Sequence, residues 1–427
     1  MLSRKLFFAL APLGLAIAGL RSSYVVPLDH EAIRYAQAET DDAISRLQKR
    51  IDSGEVNLTH EEEFGYLRSV LKELHLPLSS QILVFSKTSF QAPRIAPRMP
   101  RALYFNDQVT VGFVRTGDVL EFASLDPKQG VIFYTLDQNP SRHPRIERQD
   151  HCLQCHQSGA TLGVPGLLVR SITPDSKGVP VASAGGFVTD HQSALKERWG
   201  GWYVSGTAGN QSHMGNMVAL DSDTPVSHEN VTDLHSFFDT GAYLTPHSDI
   251  VALMTFEHET QMANLLTRVG WEARMAMAEN RAMNQSFQEP EGQIRPSTQR
   301  RVDSAVEELL EYMLFSGEAK LTAPVVGTSG FAEEFAKQSV RDSKGRSLRD
   351  FDLQTRLFRY PCSFLIYSDA FDSLPDIAKN RLYQRLYDVL SGKETGPRFA
   401  QLSSTDRRAI LEILRETKKN LPAYWKA

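Results

Sequence analysis

Cysteine is scarce in this chain: Cys152, Cys155 and Cys362 are the only thiols in 427 residues. Three thiols cannot build a disulfide framework. Charge of one sign is also lacking. Lysine and arginine number 47, aspartate and glutamate 51, the net charge is −4, and basic residues are scattered among acidic ones. That excludes the basic stripe on which a nucleic-acid partner is held. Past the N-terminus no apolar run reaches the ~20 residues of a membrane span. There is no internal repeat and no low-complexity segment.

What is present is concentrated in Cys152-Leu153-Gln154-Cys155-His156. CxxCH is the pattern to which haem is covalently attached. The two thiols add to the two vinyl groups of one haem, and the two residues between them make the turn that spans the vinyls. The same turn places His156 as proximal iron ligand. The motif occurs once, so one covalent haem c is expected, held by Cys152, Cys155 and His156. Two other readings stay open. A thioredoxin-like dithiol opens a helix after a βαβ unit and does not require the histidine. A structural zinc site needs four ligands, and the remaining thiol, Cys362, lies far along the chain. Cys362 follows Pro361 and precedes Phe364, Leu365 and Ile366, which reads as a buried, inert thiol.

The N-terminus agrees with a haem matured outside the cytoplasm. Arg4 and Lys5 precede an apolar run over 6–20, and Ala16-Ile17-Ala18 offers a small-residue cleavage site. This reads as a secretory signal peptide over 1–20, an uncleaved inner-membrane anchor being the alternative. The expected location is periplasmic or otherwise exported.

The hydrophobic pattern divides the rest. Ile33, Ala36, Ile44, Leu47 and Ile51 predict a helix over 29–54. Thr59 and Glu62 match a capping box for a second helix ending before Pro77. From Gln81 the period shortens. Segments 82–85, 102–105, 109–114, 119–122 and 131–134 are rich in β-branched and aromatic residues and separated by turn signals, so 81–137 predicts a small antiparallel sheet. Extended pieces follow at 167–172, 179–182 and 202–204. A long helix capped by Ser248-Asp249 is expected to run to about 284, with others near 298–316, 375–391 and 404–418, the last opened by Ser403 and Asp406. The predicted class is α+β: N-terminal helices and a small antiparallel sheet around the haem segment, then a mainly helical C-terminal part. The predicted division is a haem-binding domain over 21–285, a linker over 286–297 (Gln288, Glu289, Pro290, Glu291, Gly292) and a helical domain over 298–427.

Covalent attachment leaves the sixth iron position undecided. Met214 is the first candidate, with His213, Met217 and His258 as alternatives. Met214 and Met217 follow His156 by 58 and 61 residues, behind a glycine-rich loop, although a packed or loop methionine is the plainer reading of either alone. His258 lies in line with Ile250, Met254 and Met262 on the long helix, flanked by Glu257 and Glu259; a core-edge histidine is its plainer reading. His191, Arg198 and His258 are the candidate catalytic groups, near Trp199-Gly200-Gly201-Trp202-Tyr203.

The CxxCH resembles that of c-type cytochromes. Residues 79–217 and 248–270 further resemble a group of large exported bacterial monohaem cytochrome-like proteins of unknown function. The segments that carry this are Leu83-Val84-Phe85-Ser86-Lys87-Thr88, Pro100-Arg101-Ala102-Leu103-Tyr104-Phe105-Asn106-Asp107, Arg198-Trp199-Gly200-Gly201-Trp202-Tyr203-Val204 and His213-Met214-Gly215-Asn216. The resemblance implies a single covalent haem and export, and brings no activity or substrate. The chain departs from small cytochromes c, which are helical with the motif near the start. Here β-structure precedes the motif and more than half the chain follows it.

Three functions compete. Electron transfer to or from another exported redox protein needs a firmly held sixth ligand. A haem oxidoreductase of peroxidase-like type needs an open or displaceable distal position and acid–base groups beside it. A haem-based sensor needs a partner for the helical part. Electron transfer is the reading adopted.

Overall fold

The computed structural model describes residues 25–219 and 228–426; the segment expected to be a signal peptide lies outside them. The N-terminal part holds two short helices, α1 (Ala43–Asp52) and α2 (Leu67–Glu73). Six strands follow: β1 (Ile82–Val84), β2 (Arg101–Phe105), β3 (Val109–Phe113), β4 (Val119–Asp126), β5 (Gly130–Asp137) and β6 (Ile146–Arg148). The four-residue helix α3 (Leu153–His156) carries the motif. Then come β7 (Val169–Ile172), β8 (Gly186–Thr189) and β9 (Trp202–Tyr203). The helical part comprises α4 (Ile250–Ser286), α5 (Pro296–Met313), α6 (Phe331–Lys337), α7 (Asp369–Asp372), α8 (Asp376–Leu390) and α9 (Ser404–Thr417).

The expected antiparallel sheet is present and wider than 81–137 alone. Seven strands run in the order β6-β5-β4-β3-β2-β1-β9, with every neighbouring pair antiparallel. β7 and β8 form a separate hairpin. Alternation sorts the side chains onto two faces. Leu83, Ala102, Tyr104, Val111, Leu120, Phe122, Ile132 and Tyr134 pack with Ile44, Leu47, Leu67 and Val70 of α1 and α2. On the other face Ile82, Val84, Leu103 and Phe105 join a cluster with α4, α5, α8 and α9. Each such side chain, fully buried, contributes ~1.5–3 kcal/mol. The helical bundle does not cover the whole of that face. In β4 every second residue, Val119, Glu121, Ala123 and Leu125, is only half-buried. The motif lies against this less covered part.

α4 is anchored at its start. The Asp249 carboxylate accepts the N–H groups of Val251 and Ala252 at 2.8 and 3.2 Å. Ser248 Oγ accepts the Leu83 N–H at 2.8 Å and donates to the Tyr203 carbonyl at 2.6 Å, tying the helix to β1 and β9.

Several sequence expectations are corrected. The helix expected over 29–54 starts only at Ala43, because Asp42 caps it by accepting the Ile44 and Ser45 N–H groups. The capping box at Thr59 and Glu62 opens no helix: Glu61 and Gly65 pair through their backbones, and α2 begins at Leu67. Segment 179–182 is not a strand; β7 pairs instead with β8. The linker expected over 286–297 is a bonded turn. Asn280 and Asn284 both donate to the Gln293 carbonyl, at 2.8 and 2.7 Å, and Asn284 also donates to that of Pro290 at 3.0 Å. One apolar cluster runs from Ile82 through α4 to Trp425. Residues of the helical C-terminal part and of the sheet thus belong to one apolar cluster.

Candidate functional site

A short 3-10 turn, Asp150–Cys152, continues directly into α3. Cys152, Cys155 and His156 thus stand at i, i+3 and i+4 of a helical segment, which places them as neighbours on one side. Cys152 is half-buried, Cys155 exposed, and neither is in a disulfide. The start of the segment is held by Arg148, which lies 4.5 Å over the Tyr35 ring, bonds the Tyr35 carbonyl at 3.0 Å and pairs with Asp150 at 3.1 Å. Burial pushes the Cys152 thiol up to about 11.

His156 is held more tightly. Its backbone carbonyl accepts the Gly166 N–H at 2.9 Å, and its ring Nδ1 lies 3.0 Å from the Gly166 carbonyl oxygen. A carbonyl only accepts, so Nδ1 carries the proton and Nε2 presents a lone pair. Burial lowers the imidazole pKa, which keeps it neutral. The ring packs on Phe133 with centroids 4.8 Å apart. Gly166 is positioned from α4: Asn264 accepts the Leu167 N–H at 3.2 Å and donates to the Leu167 carbonyl at 2.8 Å. A Cβ on residue 166 would lie 2.0 Å from Asn264 Oδ1, so any other residue there would have to displace Asn264. Asn264, Gly166 and Phe133 were missed by sequence reasoning. Their one signal was Asn264, a polar residue within the buried length of a helix.

Donors for a metal site of the ordinary kind do not gather around the thiols. Among the described residues no three His, Cys, Asp or Glu side chains are grouped to hold an ion. A site with one histidine nitrogen and two thioether links needs no such group.

The predicted distal residues divide. Met214 is half-buried, and its Sδ lies 3.6 Å from Ser171 Oγ on β7, the strand that begins three residues after Gly166. Met217 is half-buried in the same loop. His213 is buried edge-on against Trp199 at 5.4 Å, and burial depresses its pKa to about 4.

His258, the other sixth-ligand alternative, lies in the helical core. It is fully buried. Its Nδ1 lies 2.9 Å from His191 Nδ1 and its Nε2 lies 2.8 Å from Ser363 Oγ, so both ring nitrogens are committed. It also lies on another side of α4, about 120° around the helix from Asn264. His191 stacks on Tyr312 and Phe315 at 4.0 and 4.6 Å. Arg198 is buried in an ion pair with Glu257 at 3.0 Å and bonds the His191 carbonyl at 3.0 Å. Thr189 donates to the other Glu257 oxygen at 2.5 Å. Burial holds both histidines well below their ordinary pKa and lifts Glu257 to about 7. The three candidate catalytic residues are thus brought together, in a closed network inside the helical core.

No protein-family model, curated protein or solved structure matches this chain. The fold defines a mixed α+β protein with a helical C-terminal part. Among the described residues no helix is long and apolar enough to cross a membrane.

Proposed function

We propose that the chain is an exported monohaem c-type cytochrome that transfers electrons to or from another exported redox protein. The observation that carries this reading is the Nδ1–H···O=C bond from His156 to Gly166, 3.0 Å long, on the same segment as two unpaired thiols. Proximal histidines are oriented in this manner, with one nitrogen tied to the backbone and the other left for the metal. Cys152 and Cys155 would supply the covalent links and His156 the axial nitrogen; the haem, when bound, supplies a one-electron couple at iron. The thiol environment also favours haem over a dithiol redox pair. Such a pair is activated by a lowered thiol pKa, whereas burial raises that of Cys152 to about 11.

Electron transfer is preferred to peroxidase-like chemistry because the acid–base groups that such chemistry would use, His191, His258 and Arg198, are buried in the helical core, where they bond Ser363, Glu257 and one another. Met214, with its thioether half-exposed beside β7, remains the first candidate for the sixth ligand.

The test is the visible spectrum of the reduced protein, exported from cells with haem-ligation machinery, before and after carbon monoxide. A haem that survives denaturation still bound to the chain, with a spectrum unchanged by carbon monoxide, is expected. Absence of bound haem would end the cytochrome reading. A clear carbon monoxide shift would move the function to an enzyme or sensor.

A further inference from the structure

The register places Phe133, Ala123, Glu121 and Gly112 on one face of the sheet, with Arg101 entering from β2. Phe133 pairs with Ala123, Gly112 with Glu121, and Leu103, two residues from Arg101, with Gly112. This is the half-buried face on which His156 rests through Phe133. Strand spacing puts the Glu121 backbone about 8 Å from that of Phe133.

Arg101 lies flat across this face. Its Nη2 reaches Glu121 at 2.7 Å, and the two side chains keep 21% and 13% of their exposure. The route passes directly over Gly112, where a Cβ would lie 2.5 Å from Arg101 Nη2. Any other residue on β3 would push the guanidinium off the sheet. Ser89 Oγ supports Glu121 from the side, 3.2 and 3.3 Å from its two oxygens. The next residue, Phe90, is 67% exposed and packs tilted against His151, the residue before Cys152, with centroids 4.8 Å apart. Arg101 is not saturated by this arrangement: its Nε is buried without a hydrogen-bond partner. A guanidinium carries five donors in a planar fork suited to carboxylates. The buried Nε faces Gly112, and the part of the side chain that stays exposed, 21%, leaves the outer donors of the fork open to an anion.

Resting on the haem reading above, we infer that Arg101, laid over Gly112 and steadied by Glu121, binds a propionate carboxylate of the haem attached at Cys152 and Cys155. Haem carries two such carboxylates, and one brought against a half-buried surface needs a cationic partner. Arg101 is then a positioning residue that also sets the field at the iron. Its positive charge favours the reduced state and the Glu121 carboxylate opposes it.

The test uses haem-loaded wild type and the variants R101Q, R101K and E121Q, with haem stoichiometry, midpoint potential and its pH dependence as readouts. The potential should fall in R101Q, rise in E121Q and stay near wild type in R101K. The acidic inflection of potential against pH should move to higher pH in R101Q, because the carboxylate loses its counter-charge. A charge pair that does not touch the propionate would also move the two potentials in opposite directions, but it would leave the acidic inflection where it is in wild type, and that outcome overturns the assignment. Unchanged potentials, or R101Q and E121Q shifting together, overturn the assignment while leaving the haem intact. If R101Q does not fold, R101K and E121Q still decide, since a potential in E121Q at or below wild type also overturns it. Wild type without covalent haem overturns both this inference and the reading beneath it.

Discussion

Two histidine-bearing regions of this protein use the same side chain in opposite ways. His156 sits on a four-residue helix against a half-covered sheet, with one ring nitrogen spent on a backbone carbonyl. His191 and His258 sit inside the helical core, bonded to each other and to Ser363. The first spends one hydrogen bond to aim a lone pair. The second ties down both nitrogens of His258 and stacks the rings among Tyr312 and Phe315. The difference is one of access: the richer cluster is closed inside the helical core, whereas His156 stands at a half-covered face of the sheet.

The comparison breaks first at Glu257. Glu257→Ala leaves Arg198 charged and buried without its partner, and loss of about 3–5 kcal/mol in urea unfolding is expected. His156→Ala should cost the unloaded chain about 1 kcal/mol, because it removes one hydrogen bond, that to the Gly166 carbonyl, from a half-buried residue. Equal losses in the two variants would erase the distinction.

Gly166→Ala tests the aim of His156. Its Cβ must displace Asn264, and overpacking of this kind costs about 1–3 kcal/mol. A loaded protein should also show an altered axial-ligand spectrum. Asn264→Ala leaves the Leu167 backbone groups without their partner, at a cost of about 1–3 kcal/mol by chemical denaturation.

The pH response separates the regions more finely. His258 is neutral in the fold well below its ordinary pKa, whereas the unfolded chain takes a proton near pH 6.5. The unfolded state therefore binds more protons below that pH, and this residue's contribution to stability is lost as pH falls through about 6.5. Stability profiles of wild type and His258→Gln should diverge below that point by up to about 1.4 kcal/mol per pH unit, the variant being flatter. Parallel profiles would place the burial argument in error. The smallest effect belongs to Cys362→Ala, which removes one buried sulfur and should leave haem attachment at the wild-type level in a haem-stained gel.

Much of the fold was legible because it is local. The alternation of Leu120, Phe122 and Ser124 with Glu121 and Ala123 gives β4 directly, and Ser403 with Asp406 opens α9 as expected. What was illegible depends on contacts distant in sequence. Asp42 takes a hydrogen bond from Tyr134, so the start of α1 is fixed partly by β5. Of the site, the thiols and His156 could be read from spacing. Gly166 could not, since what any other residue there would have to displace is Asn264, far along the chain. His258 fitted both a core and a ligand reading until Ser363 and His191 were seen to occupy its ring.

The hold on His156 has a consequence for the order in which the chain matures. β1 to β6 form a meander of neighbouring strands, which needs only short loop closures and precedes the motif in synthesis. Asn264 is made more than a hundred residues after Cys152. A chain emerging from its N-terminus therefore presents both thiols after β1 to β6, while β9 and α4, which sets Gly166, are still to come. Under the proposed haem reading the thiols would be offered first, and the imidazole would acquire its final heading only when α4 docks. A truncation ending before residue 250 would keep both thiols and lose the side chain that ties down the backbone beside Gly166.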